Sequence, residues 1–206
     1  MVKQVKTYYN PLGKRSQLVS DVYKLIKGIG ELPLPLDKPV LILISGLPGV
    51  GKSFFCLQLA KRLPAVVLES DSLRRMLFRQ PEYSQTESAR LFKAIHLVAE
   101  RFLKNGFCII VDATNLSEHH REYFYRITER LEVKLIIVSI QAPPSLAKKR
   151  LAVRLKNQDE KSEADWEVYK KMKPSVEKIT RKHFVVDTSI DITSSIDKIM
   201  SEIGCV

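Results

Sequence analysis

The residues with the clearest chemical potential lie in a glycine-rich segment at positions 46–53. The segment reads Gly-Leu-Pro-Gly-Val-Gly-Lys-Ser and fits the pattern G-x-x-x-x-G-K-[ST]. Its backbone N–H groups can surround a polyphosphate, Lys52 can reach the β- and γ-phosphates, and the Ser53 hydroxyl can ligate Mg²⁺. The pattern predicts a P-loop that binds ATP together with Mg²⁺. The residues predicted to contact the nucleotide are Gly46, Leu47, Pro48, Gly49, Val50, Gly51, Lys52, Ser53 and Phe54.

The sequence on either side of this segment has the form that a P-loop requires, a buried strand before it and a helix after it. Residues 39–45 are apolar and β-branched after an initial proline, which is typical of a central parallel strand. Residues 53–63 are apolar on more than one face and are followed by Pro64, which a helix does not accommodate in its interior. This context favours a P-loop over the alternative, a glycine-rich turn with an unused lysine.

Two aspartates and an arginine follow the next predicted strands. Asp71 comes after the strand 65–69, where it can accept a proton from an acceptor hydroxyl, and Arg74 lies one helical turn further on, where it can hold an acidic group of that acceptor. Asp112 ends the strand 107–111 as a Walker-B acid does, and we expect it to hold Mg²⁺ or to orient Lys52 and Ser53. The alternatives are a helix N-cap for Asp71 and a strand-end carboxylate that accepts from loop amides for Asp112.

A basic helical segment follows the fourth predicted strand. Arg150 and Arg154 are four residues apart and therefore share a helical face, next to the polar residues 157–163. The arrangement suits a lid that places guanidinium groups on the transferred phosphate. A solvated basic face is the alternative, because neighbouring lysines make the whole segment basic.

Composition restricts the classes of protein that fit this chain. It has 206 residues, 45% of them apolar, and no apolar run of the length that a membrane span needs, so we expect a single catalytic domain that does not cross a bilayer. The start lacks the apolar stretch of a secretory signal, and the three cysteines are far apart, which predicts reduced thiols and a cytoplasmic protein. A formal net charge of +11 favours polyanionic partners, either nucleotides or nucleic acid.

Five short apolar strands separated by helical segments predict an α/β fold, a parallel sheet with helices on both faces. The strands are predicted at 39–45, 65–69, 107–111, 133–140 and 183–187. We expect residues 1–36 to form an N-terminal arm and an amphipathic helix (16–27), and residues 37–206 to form the P-loop domain with a helical lid at about 145–182. The amphipathic helix can pack on the sheet or face a second subunit, so an oligomer is possible. The lid includes a helix at 164–182 whose Trp166, Tyr169 and Met172 are expected to pack the lid together.

These motifs, in this order and spacing, resemble the P-loop kinases related to phage polynucleotide 5'-hydroxyl kinase. The resemblance runs from about residue 41 to 187 and implies ATP-dependent phosphoryl transfer with Mg²⁺. It makes Asp71 the general base, Arg74 a contact to the phosphate of the acceptor, and Arg154 the lid residue that acts on the donor phosphates. The remaining residues that carry the resemblance are Thr114 and Asn115, which line the acceptor side, Arg121 next to them, and Arg150.

The sequence departs from that family pattern at one position near the predicted base, since Ser72 stands where members often carry a second acid. Members phosphorylate acceptors as different as nucleic-acid ends, sugars and seryl-tRNA. We therefore expect a kinase with a nucleic-acid 5' end as the leading acceptor. A small-metabolite kinase, a regulatory protein that hydrolyses ATP, and a basic RNA-binding module with a vestigial P-loop are the alternatives.

One pair of histidines has the residue type of a metal ligand but not the surroundings. His119 and His120 have no cysteine or carboxylate partners at ligand spacing, and we expect them to face solvent at the start of a helix.

Overall fold

The structure is a computed structural model that describes residues 16–156 and 164–204. The predicted N-terminal arm before residue 16 and the polar segment 157–163 lie outside the described residues. None of the described helices is both long and apolar enough to cross a membrane.

The strands form one sheet in which every pair is parallel, in the spatial order β2-β3-β1-β4-β5. They are β1 (Val40–Ser45), β2 (Ala65–Glu69), β3 (Cys108–Asp112), β4 (Lys134–Gln141) and β5 (Phe184–Asp187). Every residue of β1 and β3 is buried, which is why both read as unbroken apolar runs. The predicted five-stranded parallel sheet is confirmed.

Helices cover both faces of this sheet, as predicted. They are α1 (Gln17–Ile29), α2 (Lys52–Ala60), α3 (Ser70–Leu77), α4 (Gln85–Lys104), α5 (Glu118–Arg130), α6 (Pro144–Lys156), α7 (Trp166–Met172) and α8 (Thr193–Ile203). Alternate residues of β1 supply the two cores, because successive side chains of a strand point to opposite faces. Leu41 and Leu43 join the core under α1, α3, α4 and α5, whereas Ile42 and Ile44 join the core under α2, α6 and α8.

The register of the sheet brings the chemically interesting residues to one edge. Parallel strands have their carboxyl ends on the same side, and Glu69 at the end of β2 pairs directly with Asp112 at the end of β3. The P-loop follows β1, which is the next strand along. The P-loop, Asp71 and Asp112 therefore meet at the edge where open α/β sheets bind ligands.

The lid differs from its prediction in its second helix. The helix predicted at 164–182 is only α7, which is followed by a short 3-10 turn at Lys173–Ser175 and then by chain without helix up to β5. Pro174 has no N–H and cannot continue an α-helix, so the apolar spacing that extended the prediction past it was misleading. The predicted packing is confirmed for Trp166 and Tyr169, whose rings stack with centroids 4.5 Å apart.

Helix α1 packs on α3 and α4 rather than directly on the sheet. Its Ser16 hydroxyl accepts from the Val19 N–H as an N-cap, so the helix begins close to the predicted position. Asp21 is fully buried in this contact and receives two hydrogen bonds from Arg90 of α4, at 2.6 and 2.7 Å. The apolar face that could have met a second subunit is therefore covered within the chain.

Candidate active site

The P-loop is held by close approach of its backbone to neighbouring strands. Gly46 N–H donates to the Thr114 carbonyl over 3.0 Å, and a Cβ at Gly46 would stand 2.6 Å from the Ile140 carbonyl oxygen. That distance is below any normal carbon–oxygen contact, so the first position of the motif accepts only glycine here. The loop thus rests between the ends of β3 and β4.

The last glycine of the motif opens α2 toward a ligand. Gly51 has φ of +93°, a left-handed conformation that favours glycine, and it caps α2 without any side-chain hydrogen bond. The first N–H groups of α2 therefore have no side-chain cap and can bind an anion, which the helix dipole also favours. These features fit a polyphosphate.

Lys52 lies inside this loop, close to two carboxylates. Its ammonium donates to the Leu47 carbonyl over 3.0 Å. Burial lowers the pKa of Lys52, and the negative charges of Asp112 and Asp71 oppose that shift. A lysine that has lost part of its hydration and faces carboxylates is poised to exchange them for phosphate oxygens.

Asp112 and Ser53 form a pair of oxygen ligands next to Lys52. Asp112 is buried, and burial raises the pKa of its carboxyl group while Lys52 and a hydrogen bond from the Ser53 hydroxyl act to lower it. Ser53 itself is exposed at the start of α2. A hydroxyl and a carboxylate in contact fit Mg²⁺, which typically uses one or two protein oxygens in addition to phosphate oxygens.

Asp71 lies in the first turn of α3, partly exposed and within electrostatic range of both Lys52 and Asp112. The N-cap of α3 is Glu69, so the alternative role of Asp71 as the cap is not what the structure shows. The hydroxyl of Ser72 donates to the Glu69 carboxylate. Ser72 stands where family members often carry a second acid, and in this chain the carboxylate of Glu69, at the end of β2, lies next to that position.

Arg74 differs from its prediction because its charge is already engaged. Its guanidinium is buried, forms an ion pair with the buried Glu87 and donates to the Ser88 hydroxyl over 3.1 Å. The ring of Tyr83 lies 4.7 Å from it on another side. In this conformation Arg74 ties α3 to α4 instead of presenting a cation to an acceptor.

Thr114 and Asn115 brace the P-loop from the side of β3. The Thr114 carbonyl accepts from Gly46, and the Asn115 side-chain amide donates to the Ile44 carbonyl over 2.7 Å. Asn115 is buried, has φ of +43°, and its side-chain oxygen has no hydrogen-bond partner among the described residues. Within the segment predicted to line the phosphoryl-acceptor side, this side-chain oxygen can therefore still accept a hydrogen bond.

Arg121 is a structural residue rather than a substrate contact, which corrects its predicted role. It is fully buried, forms an ion pair with Glu118, and donates to two pairs of backbone carbonyls on opposite sides. Those carbonyls belong to Asn115 and Leu116 after β3, and to Glu177 and Lys178 in the segment that leads to β5. All of its hydrogen bonds are made within the protein, so a ligand would find no donor left.

The two lid arginines take different positions. Arg150 donates to the Thr188 hydroxyl and carbonyl at 2.8 and 2.9 Å, and its guanidinium would stand 3.1 Å from a Cβ at Gly51. Arg154 is partly buried, and its positive charge adds to burial in lowering the pKa of Lys52. Arg150 therefore fastens α6 over the P-loop, and Arg154 lies within electrostatic range of Lys52. Neither belongs to a fully solvated basic face.

Thr188 is a site residue that the motifs did not indicate. Its hydroxyl donates to the Val50 carbonyl over 2.6 Å and accepts from Arg150, so it links the end of β5 to both the P-loop and α6. The available signal was its position directly after a parallel strand, at the edge where the other site residues lie.

Comparison with known proteins gives a consistent picture. A family profile described as an AAA domain matches residues 41–179. The chain is 26% identical over 113 residues to an L-seryl-tRNA(Sec) kinase of Methanococcus maripaludis, covering 54% of this chain and 44% of that protein. It is 25% identical over 136 residues to a protein of Aeropyrum pernix described as "Probable adenylyl-sulfate kinase", covering 59% of this chain and 74% of that protein. The aligned region is thus less than half of the seryl-tRNA kinase.

Solved structures share the fold at lower sequence identity. The APS kinase of Mycobacterium tuberculosis in complex with AMPPNP and APS superposes with a TM-score of 0.63 at 16% identity, covering 82% of this chain and 98% of that one. A gluconokinase of Sinorhizobium meliloti superposes with a TM-score of 0.57 at 15% identity, covering 81% and 93%. These matches establish the α/β P-loop kinase fold, while the narrower resemblance to polynucleotide kinase stays a prediction.

Proposed function

Because this chain belongs to the AAA-domain family of P-loop kinases, we propose that it is an ATP-dependent phosphotransferase that moves the γ-phosphate of ATP to an acceptor hydroxyl. The observation that carries the proposal is the position of Asp71, a partly exposed carboxylate close to Lys52 and Asp112 at the open end of the P-loop. A protein that only hydrolyses ATP has no need of a base placed for a second substrate.

The donor side is built from the P-loop and its supports. The backbone of residues 46–51 and the N-terminus of α2 surround the phosphates, and Lys52 moves from the Leu47 carbonyl to the β- and γ-phosphate oxygens. Mg²⁺, when bound at Ser53 and Asp112, supplies positive charge that offsets the charge of the phosphates. Phe54, the residue after the P-loop motif, borders a surface groove of about 360 Å³ between α2 and the start of α8, and we assign this groove to the base and ribose.

The transfer step needs little covalent participation from the protein. Asp71 accepts the proton of the acceptor hydroxyl while that oxygen forms a bond to the γ-phosphorus. The bond from the γ-phosphorus to the β,γ-bridging oxygen breaks at the same time, and ADP leaves with its electron pair. Arg154 and Lys52 stabilise the charge on the transferred group, since both reach the phosphate position.

The leading acceptor in this proposal is a nucleic-acid 5' end. The net charge of +11 attracts polyanions, and the names of both matched relatives describe acceptors that contain a nucleotide. A small neutral metabolite is the competing acceptor, and one observation favours it. Arg74, the cation predicted to hold an acceptor phosphate, is engaged by Glu87.

A reduced, cytoplasmic setting goes with this proposal. Cys56 and Cys108 are buried and are not in a disulfide within the described residues, and burial raises the pKa of the Cys56 thiol, which keeps it protonated and unreactive.

The Asp71→Asn variant tests the proposal directly. We expect it to retain ATP affinity and to lower phosphoryl transfer by about 10²- to 10⁴-fold, the usual contribution of a general base. The measurement uses γ-labelled ATP with a panel of 5'-hydroxyl oligonucleotides, tRNA and small metabolites. Label that appears only in inorganic phosphate would favour a regulatory ATPase instead.

Two further variants serve as the positive and the negative control for Asp71→Asn. Lys52→Ala should lose ATP binding and transfer together, because it removes a contact to the donor phosphates. Glu167→Gln changes an exposed carboxylate on α7 that pairs with Lys170, and should leave both quantities unchanged. If Asp71→Asn loses ATP affinity as fully as Lys52→Ala does, Asp71 maintains the structure of the donor site and the proposed base is wrong.

A further inference from the structure

A row of aromatic rings lies along the junction of α4 and α5, outside the machinery described so far. We call it the ring row, and it consists of Phe92, His96, His119, His120 and Tyr123. His119 and His120 are exposed, as predicted, and Tyr123 is 46% exposed, whereas Phe92 and His96 are partly buried behind them. Exposed rings that contact one another form a surface that differs from an ordinary helix face, where such side chains are scattered singly.

The rings of the row are in contact along its whole length. Phe92 and His120 are parallel within 3°, with centroids 6.0 Å apart, and His96 and Tyr123 are parallel within 18° at 4.8 Å. His119 joins the two pairs, because it lies 5.9 Å from His120 and 5.5 Å from Tyr123. The row is therefore continuous from α4 across α5 and back to α4.

One end of the row lies close to the acceptor side of the candidate active site. His119 and His120 are in the first turn of α5, which begins three residues after Asn115. Phe92 is one turn beyond Ser88, which binds Arg74. It is also seven residues into α4, about 10 Å of helical rise from the first residue of that helix. A chain lying on the row would thus have one terminus next to the first turn of α5, close in sequence to Asn115.

The chemistry of the row suits nucleobases better than an apolar protein segment. Histidine and tyrosine present a π-face with polar edges, and base stacking on such rings tolerates any sequence because every base has a π-face. Lys93 follows Phe92 and is exposed, and Arg126 is 72% exposed one turn after Tyr123, where it pairs with Glu122. Both cations are open to solvent and can meet a phosphate backbone, in a protein whose net charge is +11.

We propose that the ring row binds the bases of a single-stranded nucleic acid whose terminal hydroxyl enters the candidate active site. This inference rests on the proposed phosphotransferase function and gives it a substrate class. The row supplies stacking, and the exposed cations supply sequence-independent attraction. The ion pair of Arg74 with Glu87 does not argue against a nucleic-acid acceptor in this case. The strand is held by its bases, and Arg74 is not needed to bind a phosphate close to the acceptor hydroxyl.

Binding can be measured without turnover. Fluorescence anisotropy with an end-labelled eight-nucleotide single strand, as RNA and as DNA, gives the Kd in the absence of ATP. An abasic strand of the same length carries the same phosphates without bases. We expect the base-bearing strand to bind the unaltered protein more tightly than the abasic one, by about 5- to 100-fold for one or two stacked bases.

The double variant His120→Ala/Tyr123→Ala should remove that difference and leave the abasic strand unaffected. Tyr23→Ala is the matched control, because Tyr23 is 40% exposed on α1 and outside the row. Each single variant, His120→Ala and Tyr123→Ala, is measured as well, and thermal unfolding identifies any variant that fails to fold.

The outcomes separate this inference from the proposed function. Equal binding of base-bearing and abasic strands, or unchanged binding by the double variant, overturns the ring row as a base-binding surface. Loss of the difference between the two strands in the double variant, with binding of the abasic strand unchanged, supports it, whereas loss of binding to both strands by a folded double variant also overturns it. If the row binds strands but labelled phosphate reaches only small metabolites, then the kinase proposal stands and the link from the row to the acceptor hydroxyl is wrong.

Discussion

At the scale of single residues, a shared motif does not give its members a shared role. Asp71 and Arg74 are one helical turn apart, yet Asp71 faces Lys52 whereas Arg74 turns to Glu87. The spacing correctly predicts that both lie at the end of β2, because three residues make one turn of α3. The spacing gives no information about Glu87, which belongs to the next helix, α4, and forms an ion pair with the Arg74 guanidinium.

Arg121 gives a test of structural against substrate-binding roles. Arg121→Met should lower the free energy of unfolding by about 3–5 kcal/mol, because Glu118 and the surrounding carbonyls lose their buried partner. Urea unfolding measures this change. Arg126→Met, on the next turn and 72% exposed, is the matched control and should change stability by less than about 0.5 kcal/mol. Unchanged stability together with a raised KM for the acceptor would contradict the structural role and support the predicted role of Arg121 as a substrate contact.

His96 predicts how acid affects the fold. Burial, with a smaller contribution from the charge of His120, lowers the pKa of His96 to about 4. Above pH 6.5 the imidazole is neutral in both the folded and the unfolded chain. Between pH 6.5 and 4 the unfolded chain binds the proton first, so stability falls with the pH, by an amount on the order of 3 kcal/mol at most.

His96→Phe isolates that contribution. The Nε2 atom of His96 is buried without a hydrogen-bond partner among the described residues, so phenylalanine keeps the ring and abandons no bond. Stability measured by urea unfolding at a series of pH values should fall less steeply below pH 6.5 in this variant. An identical pH profile would show that His96 does not titrate in this way.

At the scale of elements, α1 supports the helix that carries the proposed base. It packs on α3 and α4, and Gly28 lies so close to α3 that a Cβ there would stand 2.6 Å from the Met76 sulfur. Because α3 has only eight residues, it depends on such neighbours for its position. Helix α1 lies outside the region matched by the family profile, residues 41–179.

Asp21→Asn should loosen that support. Burial alone would raise the pKa of Asp21, but hydrogen bonds from Arg90 and Gln17 lower it below the ordinary value. The carboxylate therefore stabilises the folded chain above its unfolded pKa, and this contribution is lost as the pH falls through the folded pKa. The variant should lose about 3 kcal/mol of stability, because a buried ion pair is broken.

Urea unfolding and limited proteolysis of the linker 30–39 report the release of α1. Asp37→Asn changes an exposed carboxylate in that linker and is the control. ATP affinity should be retained by Asp21→Asn, since α1 contacts α3 and α4 rather than α2. Loss of ATP affinity without loss of stability would contradict the support that we assign to α1.

At the scale of the whole molecule, the sequence predicted what depends on local pattern. The strands were found because β1 and β3 are apolar throughout, and the P-loop because its glycines and lysine have fixed spacing. The positions of Arg74, Arg121 and Thr188 could not be found in that way. Each is decided by a partner from another element, and nothing in the local sequence around Arg121 indicates that it meets Glu177 and Lys178.

The same distinction explains the lid. Its first helix has the predicted extent because its start is marked by prolines. The second helix was overextended because apolar periodicity outweighed Pro174 in the prediction. The segment after it is instead fixed by distant contacts, such as the bond from the Glu177 N–H to the Leu116 carbonyl at 3.0 Å.

The bond from Thr188 to Val50 has a consequence for the order in which the protein can be made. It joins positions that are 138 residues apart, and Arg150 completes the link between them. A ribosome releases the P-loop long before it releases Thr188, so the nascent loop lacks this fastening for most of the synthesis of the chain. The hydrogen bond that fastens Val50 can therefore form only after most of the chain has been synthesised.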